Sequence, residues 1–225
     1  MINITETVVS GWDAAIRGMR NPLESWDRSD SRWVAITNHP TSPHDFRFSL
    51  GDADLKLLKS LAKAGPDHGK VLRYIEVTFD LEAPIYFWKE FDTYRVGVVD
   101  HPTDIEMNSC STMHKIHAKE FTMDDFSIEN LREMSYRYMK ATLKLLNLYR
   151  LKFLSEKDKS DWWQLIQLLP SSYNQKRTIK LNYAVLRTMY HARKNHKLDE
   201  WRNVCEWIKT LPYSEVITDE ERVAA

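Results

Sequence analysis

Residues 74–97, YIEVTFDLEAPIYFWKEFDTYRVG, decide the fold. Their first half alternates Ile75, Val77, Phe79 and Leu81 with Glu76, Thr78 and Asp80, the two-residue period of a strand with one buried face. Pro84 has no N–H to give a ladder and closes that strand. Beyond it the period lengthens. Ile85, Trp88, Phe91 and Tyr94 or Arg95 recur at helical spacing, with Lys89, Glu90 and Asp92 between them. A strand therefore feeds a helix. After Arg95 and Gly97 come a short insertion over 98–107 and then NSCSTMHKIH at 108–117. Asn108, Ser109, Ser111, Thr112, His114 and His117 form a donor and acceptor set suited to a phosphorylated polar ligand.

Working outward, residues 2–10 alternate loosely and predict a first strand, and Trp12, Ala15, Ile16 and Met19 predict a short amphipathic helix closed near Asn21-Pro22. Residues 23–49 are rich in Ser, Asp, Pro and His and read as a long loop with few regular elements. Long loops in compact domains are often functional, so its SWDRSDS and TNHPTSPHD segments offer hydroxyls, His39 and His44 to a ligand. A surface loop satisfying its own turns is the plainer reading. A helix over 52–64 carries Leu55, Leu58, Leu61 and Ala62 on one face and stops at Gly65-Pro66, just before Asp67-His68.

From Phe126 onward, Ile128, Leu131, Met134, Tyr138, Thr142, Leu145 and Tyr149 predict a helix of about six turns, with Ser127 and Asn130 as start signals. Ser155 or Ser160 then caps a helix with Trp162, Trp163, Leu165, Ile166 and Leu169, ended by Pro170, most of whose aromatics should be core. Between 171 and 200 lie Lys176, Arg177, Lys180, Arg187, Arg193, Lys194 and Lys197 against Asp199 and Glu200. Such a run is either a solvated helix face or an anion site.

The 225 residues suffice for one sizeable domain, and a single domain over 1–225 is expected. Thirty-two basic residues balance thirty-two acidic ones, so no overall field attracts nucleic acid. The longest apolar run falls far short of the roughly 20 residues a bilayer span needs, so no membrane partner is expected. No signal peptide is read at the start, and Cys110 and Cys205 make neither a CxxC pair nor a disulfide framework, which suits a cytoplasmic location. His114 and His117 lack an evident third ligand, so no metal is expected.

The run Thr78-Phe79, three residues, Ala83-Pro84-Ile85, nine residues, Arg95 resembles the central strand and helix of the flavin-dependent thymidylate synthases. That family ends the helix in Arg-His-Arg and follows it with Asn-Glu-x-Ser-x-Arg-Tyr. Here the triplet is Thr93-Tyr94-Arg95, and 108–114 keep Asn108 and Ser111 without the glutamate, second arginine and tyrosine. Counting back, His68 falls on a histidine that the family places beside the flavin. Later, Leu169-Pro170, Asn182, Leu186 and Arg193 keep the family's spacing, and His196 and Glu200 match its His-Ala-Gln-x-Glu segment with one residue deleted. Ala184 and Ile166 stand where arginines are usual, and Leu198 replaces the glutamine. The chain resembles a divergent member with a changed site.

The resemblance implies an α+β fold, a small mostly antiparallel sheet with long helices, with the family-like core over about 65–205. It implies a flavoenzyme that transfers a folate-derived one-carbon unit to a deoxyuridine-type pyrimidine monophosphate, with reduced FAD as hydride source and NADPH as reductant. It also implies a homotetramer whose sites are built between subunits. Arg193 becomes the catalytic candidate, because a permanent cation near the ring carbonyl stabilises the enolate-like charge that develops. Glu90, Ser109, Ser111 and Arg193 fall on the nucleotide side, and His68, Arg95, Asn108, Asn182, Arg187 and Glu200 on the cofactor side. The altered triplet leaves a second reading open, a non-catalytic descendant that binds a nucleotide or a protein partner. A weaker third, a nucleic-acid binder using residues 176–197, would show steep salt dependence.

Overall fold

The computed structural model describes residues 2–96 and 105–220. In chain order the elements begin with β1 (Asn3–Ser10), α1 (Trp12–Arg20), β2 (Arg32–Ala35), β3 (Phe46–Ser49), α2 (Asp52–Lys63) and α3 (Pro66–Gly69). The deciding stretch follows as β4 (Glu76–Pro84), α4 (Ile85–Phe91) and α5 (Thr93–Val96), then β5 (Glu106–Ser109). The rest is α6 (Glu133–Glu156), α7 (Lys159–Leu168), β6 (Asn174–Asn182), α8 (Tyr183–Arg193), α9 (Asp199–Thr210) and α10 (Glu215–Thr218). A small antiparallel sheet among many helices is the α+β class expected. Its strand order is β1-β4-β6-β5, and β2 and β3 pair separately.

The chain divides into two compact units, one from Met1–Glu6, Phe79–Val99 and Met107–Ile179, the other from Thr7–Thr78, Asp100–Glu106 and Lys180–Ala225. In the first, Phe79, Leu81 and Ala83 of β4 are buried while Asp80 and Glu82 face outward, as the alternation required. Phe87, Trp88 and Phe91 then bury one side of α4. A further core joins Phe121, Phe126, Met139, Leu143, Leu146 and Leu165. In the second unit, Trp12, Ala15, Ile16 and Met19 bury the predicted face of α1, and Trp201, Val204, Cys205 and Ile208 are the buried residues of α9. Trp12 meets Tyr183 edge-on, with ring centroids 5.2 Å apart. Gly11, in the left-handed region at φ 86°, lets the chain pass the Tyr74 carbonyl, which any Cβ there would strike at 1.9 Å.

Several expectations are corrected. Residues 23–49 are not without regular structure: β2 and β3 form an antiparallel hairpin with Trp33 opposite Phe48. Strands of four residues carry too little period to read from sequence. Helix α6 begins at Glu133, about a turn after the expected start, because Ser127 is not a cap; its Oγ donates to Asn174 Oδ1 at 2.8 Å. The cap of α7 is Asp158, whose carboxylate accepts from the Ser160 N–H at 2.8 Å, rather than either serine. Trp163 is 42% exposed and not core. Residues 174–182 form a strand, not a helix face.

The hydroxyls of the SWDRSDS segment serve the fold rather than being offered to a ligand. Asp54, on the first turn of α2, is fully buried beside Arg20, which donates to its Oδ1 through Nε at 2.6 Å. Ser29 Oγ and Ser31 Oγ each donate to its other oxygen at 2.6 Å. Asp30 accepts from the α2 N–H groups of Ala53 and Asp54 at 2.9 and 3.1 Å. A Cβ at residue 51 would lie 2.1 Å from the Asp30 Cγ, so any residue larger than glycine there would push the Asp30 carboxylate off the α2 N–H groups.

Burial by itself would raise the Asp54 pKa, but the hydrogen bonds from Ser29, Ser31 and Arg20, with the charge of Arg20, leave it below the usual carboxylate range. Its contribution to stability is therefore complete above the ordinary aspartate value of about 3.9 and is lost as pH falls through the lower folded value. Asp54→Ala strands a buried guanidinium and should cost about 3–5 kcal/mol in urea unfolding at neutral pH. The gap between wild type and variant should narrow only in the acid range; a gap under 1 kcal/mol at neutral pH would show that the pair is dispensable.

Candidate functional site

In the first unit the polar constellation is built on Trp88. Its indole Nε1 donates to the Ala83 carbonyl at 2.9 Å and to the Gln175 carbonyl at 3.0 Å, tying the end of β4 to β6. The Arg177 guanidinium lies 4.2 Å from the centroid of its ring. Arg177 donates through Nη1 to Asp92 at 2.8 Å and through Nε to the Gln175 side chain at 3.1 Å. Gln175 in turn donates through Nε2 to the Cys110 carbonyl at 2.7 Å, and the Cys110 N–H donates to the Lys176 carbonyl at 2.9 Å.

That last contact fixes the end of β5, where the chain turns at Ser111. Ser111 Oγ accepts from the N–H groups of Met113 and His114 at 3.2 and 2.9 Å and lies 3.1 Å from His114 Nδ1. The Ser111 hydroxyl and the exposed His114 imidazole thus share one turn, whose Met113 and His114 N–H groups are already taken up by Ser111 Oγ. Asn108 and Ser109 are exposed on β5, Glu90 stands half-buried on α4, and Arg95 lies on α5. His114 and His117 belong to turns rather than to a helix, and among the described residues no three His, Cys, Asp or Glu side chains gather for a metal.

The second unit holds the other predicted residues. Asn182 caps α8, its Oδ1 accepting from the Val185 N–H at 3.0 Å. Arg187 is committed internally: Nη1 donates to the carbonyls of Val216 and Ile217 at 3.1 and 3.2 Å, and Nη1 and Nη2 grip both oxygens of Asp219 at 3.0 and 2.6 Å. Arg193 ends α8 with its guanidinium 5.0 Å from the Trp201 ring centroid, and Glu200, 8% exposed, precedes that tryptophan. His196 Nδ1 accepts from the Leu198 N–H at 3.2 Å in the same turn. His68 is exposed on α3 at an open cavity of about 610 Å³ that none of the other predicted residues lines.

The structure thus brings together Arg193, His196 and Glu200 around Trp201, and separately sets Ser111 with His114. The basic run is largely neutralised by carboxylates: Lys176 pairs with Asp80 at 2.7 Å, Arg177 with Asp92 and Lys180 with Glu76 at 2.9 Å. Sequence reasoning missed Trp88, Asp92 and Gln175 as partners of Arg177. The alternation of Gln175, Arg177, Ile179 and Leu181 was the available signal for the strand that aligns them.

No family model matches the chain, and no curated protein matches it. Solved structures do. The thymidylate synthase ThyX from Helicobacter pylori, with FAD and dUMP, is similar at a TM-score of 0.66 and 13% identity over 97% of each chain. A second structure of that flavin-dependent enzyme, also with FAD and dUMP, gives 0.65 at 14% identity over 96% of this chain and 97% of the other. The UMP/dUMP methylase PolB from Streptomyces cacaoi, bound with 5-Br dUMP, gives 0.61 at 16% identity over 100% of this chain and 98% of the other. At such identities the likeness is one of fold, and it spans nearly the whole chain.

The two cysteines differ sharply. Burial pushes the Cys205 thiol up to about 11, whereas Cys110 is exposed. A thiol reagent at pH 8 should therefore label one cysteine per native chain, Cys110, and the second only after unfolding, because a thiol titrating near 11 has on the order of a thousandth of its population as thiolate there. Equal labelling rates in the native state would contradict the buried setting of Cys205.

Proposed function

We propose that the chain binds a deoxyuridine-type pyrimidine monophosphate and methylates it as a divergent flavin-dependent thymidylate synthase. A folate derivative supplies the one-carbon unit, NADPH the reducing equivalents, and four copies of the chain assemble around the sites. The observation that carries this reading is the fold, shared over 97% of the chain with an enzyme crystallised with FAD and dUMP.

Carbon–carbon bond formation at C5 of a uracil needs that carbon made electron-rich. A cysteine adding to C6 is one route, but Cys205 is 2% exposed with its thiol pushed up to about 11, which removes it as a nucleophile. The electrostatic route suits these residues better. Arg193 is permanently charged and lies over the Trp201 ring, 5.0 Å from its centroid, so it can stabilise charge developing on a ring carbonyl without deprotonating. Ser111, with Ser109 beside it and His114 at 3.1 Å, offers hydroxyl and imidazole donors to the nucleotide phosphate. Glu90 accepts from the pyrimidine N–H.

For the flavin the donor set fits in part. His68 and Asn108 are exposed, and Asn182 uses its Oδ1 as a cap while its amide nitrogen remains available for a ring carbonyl. Arg187 does not fit, since both terminal nitrogens are held by Asp219 and by two carbonyls. When bound, reduced flavin supplies the hydride that completes the methyl group. The diversion of Arg187 favours a second reading, a descendant that binds the nucleotide without turnover.

The visible spectrum of the purified protein separates the two. Yellow protein, or colourless protein that takes up added FAD, agrees with the enzyme; neither would remove flavin chemistry and leave the nucleotide binder. Calorimetry with dUMP tests both readings. Arg193→Ala should weaken binding by roughly 10–100-fold, the worth of one or two charge-assisted hydrogen bonds, with an unchanged melting temperature. Unaltered affinity would show that Arg193 does not touch the nucleotide.

A further inference from the structure

Within the first unit, the turns between β5 and α6 are fastened to α6 and α7 at several points. Ile116, 4% exposed, is buried in the core with Leu143, Leu146 and Leu165. Trp162 Nε1 donates to the Met113 carbonyl at 3.1 Å, and the Asn147 amide exchanges hydrogen bonds with the N–H and carbonyl of Phe121 at 2.9 Å each. Arg150 Nε donates to the His117 carbonyl at 3.0 Å. On this fixed segment Lys115 is exposed and His117 half-buried. The His117 ring packs edge-on against Phe153, with centroids 4.8 Å apart, and Lys157 Nζ lies 5.7 Å from the centroid of the same Phe153 ring. The charges that act on the imidazole are all positive, Lys157 first, then Lys115 and Arg150.

This grouping departs from the rest of the chain. Elsewhere cations are answered by carboxylates, Lys119 by Asp125, Lys176 by Asp80 and Arg187 by Asp219. Among the described residues Lys115, Arg150 and Lys157 have no such partner, and Arg150 bonds through Nε alone, so its two terminal nitrogens stay uncommitted. The C-terminal dipole of α6 accounts for a cation at Lys157, which is its left-handed cap. It calls for neither a guanidinium about two turns earlier nor a lysine from a separate segment. Three cations gathered without a counter-charge repel one another, and a bound anion removes that cost.

We propose that Lys115, His117, Arg150 and Lys157 form a binding site for a small phosphorylated ligand, with a diphosphate as the best match in charge. Arg150, held in place by its Nε, presents the two terminal nitrogens as a fork that can take two phosphate oxygens at once. Lys115 and Lys157 take the remaining oxygens. His117 Nδ1 is buried without a partner, which leaves Nε2 as the nitrogen that meets the ligand. A phosphate monoester carries a charge of about −1.5 to −2 at neutral pH, less than three permanent cations supply, so a second phosphate completes the match. Burial, together with Lys157, Lys115 and Arg150, holds the His117 pKa below the ordinary imidazole value. A bound diphosphate offsets those charges and raises it, and protonation of the ring strengthens binding in return.

None of these four residues belongs to the proposed reaction, so the two readings stand or fall separately. The full chain is titrated with inorganic pyrophosphate at low salt, and the His117 ring protons are followed by NMR, assigned from the spectrum of His117→Gln. Pyrophosphate should raise the His117 pKa. Lys115→Gln combined with Lys157→Gln, both at exposed positions, should weaken binding by roughly 10–100-fold with an unchanged melting temperature, whereas Arg193→Ala should leave it as it was. An unmoved His117 signal, or an affinity indifferent to the double substitution, would overturn the proposal. A signal moved by dUMP and not by pyrophosphate would merge this cluster with the nucleotide site, and one moved only by duplex DNA, with steep release by salt, would assign it to a polyanion. Either result removes the separate small-ligand site.

Discussion

The indole N–H of Trp88 is the contact on which the first unit depends. Pro84 cannot donate to a neighbouring strand, so β4 must end there, and the carbonyls around the break need a partner from elsewhere. Trp88, one turn into α4, supplies it by bridging Ala83 and Gln175 from a position 1% exposed. The same ring carries Arg177, whose hydrogen bonds to Asp92 and Gln175 are thereby held in place, and Gln175 holds the Cys110 carbonyl. The Ser111 turn thus inherits its position from a tryptophan more than twenty residues earlier. An apolar residue of equal size at 88 would take the indole donor away from both carbonyls, costing about 1–3 kcal/mol for each one left unsatisfied.

The charged residues of this neutral chain are mostly spent on architecture. On the outward face of β4 and β6, Asp80 receives both Lys176 and Thr178, at 2.7 Å each, and Glu76 receives Lys180. In the second unit Arg20 and Asp54 are buried together, and Arg187 closes on Asp219. Cross-strand and buried pairs of this kind cost desolvation and gain mainly by fixing which groups lie opposite one another. The apparent concentration of positive charge between residues 171 and 200 therefore says little about an anionic ligand. What distinguishes Arg193 is its place on an aromatic face at the end of a helix, and composition does not reveal that.

The strand-to-helix unit at 74–96 was legible because both faces obey one period each: β4 buries every second residue, and α4 buries Phe87, Trp88 and Phe91. Helices α1 and α2 were legible for the same reason. Strand β6 was not, since two of its four inward positions, Gln175 and Arg177, are polar and make sense only once Trp88 is seen beside them. The hairpin at 32–49 was hidden by strands of four residues held by a cross-strand contact of Trp33 and Phe48, ring centroids 5.4 Å apart, between segments ten residues distant in sequence. Asp54 went unremarked in the first turn of α2, because its burial follows from Arg20, thirty-four residues away. Of the candidate site, the Ser111 turn was visible as a polar cluster, whereas the commitment of Arg187 depends on residues 216–219, to which no motif pointed.

That commitment bears on how far the site has moved from the pattern it resembles. Arg187 makes four contacts, two of them to a carboxylate, and they secure the end of α10, where Asp219 adopts a left-handed backbone at φ 61°. Hydrogen bonds to charged groups contribute about 1.5–3 kcal/mol each, so withdrawing this arginine toward a cofactor would forfeit several kcal/mol of folding free energy. A ligand would have to offset that loss before gaining any affinity. On the proposed reading, flavin contacts would come from other groups, of which His68 and Asn108 are exposed. Neutral donors hold a pyrophosphate less firmly than a guanidinium does. On the proposed reading the nucleotide side rests on Arg193, whose permanent charge is a firmer hold on developing negative charge than neutral donors give.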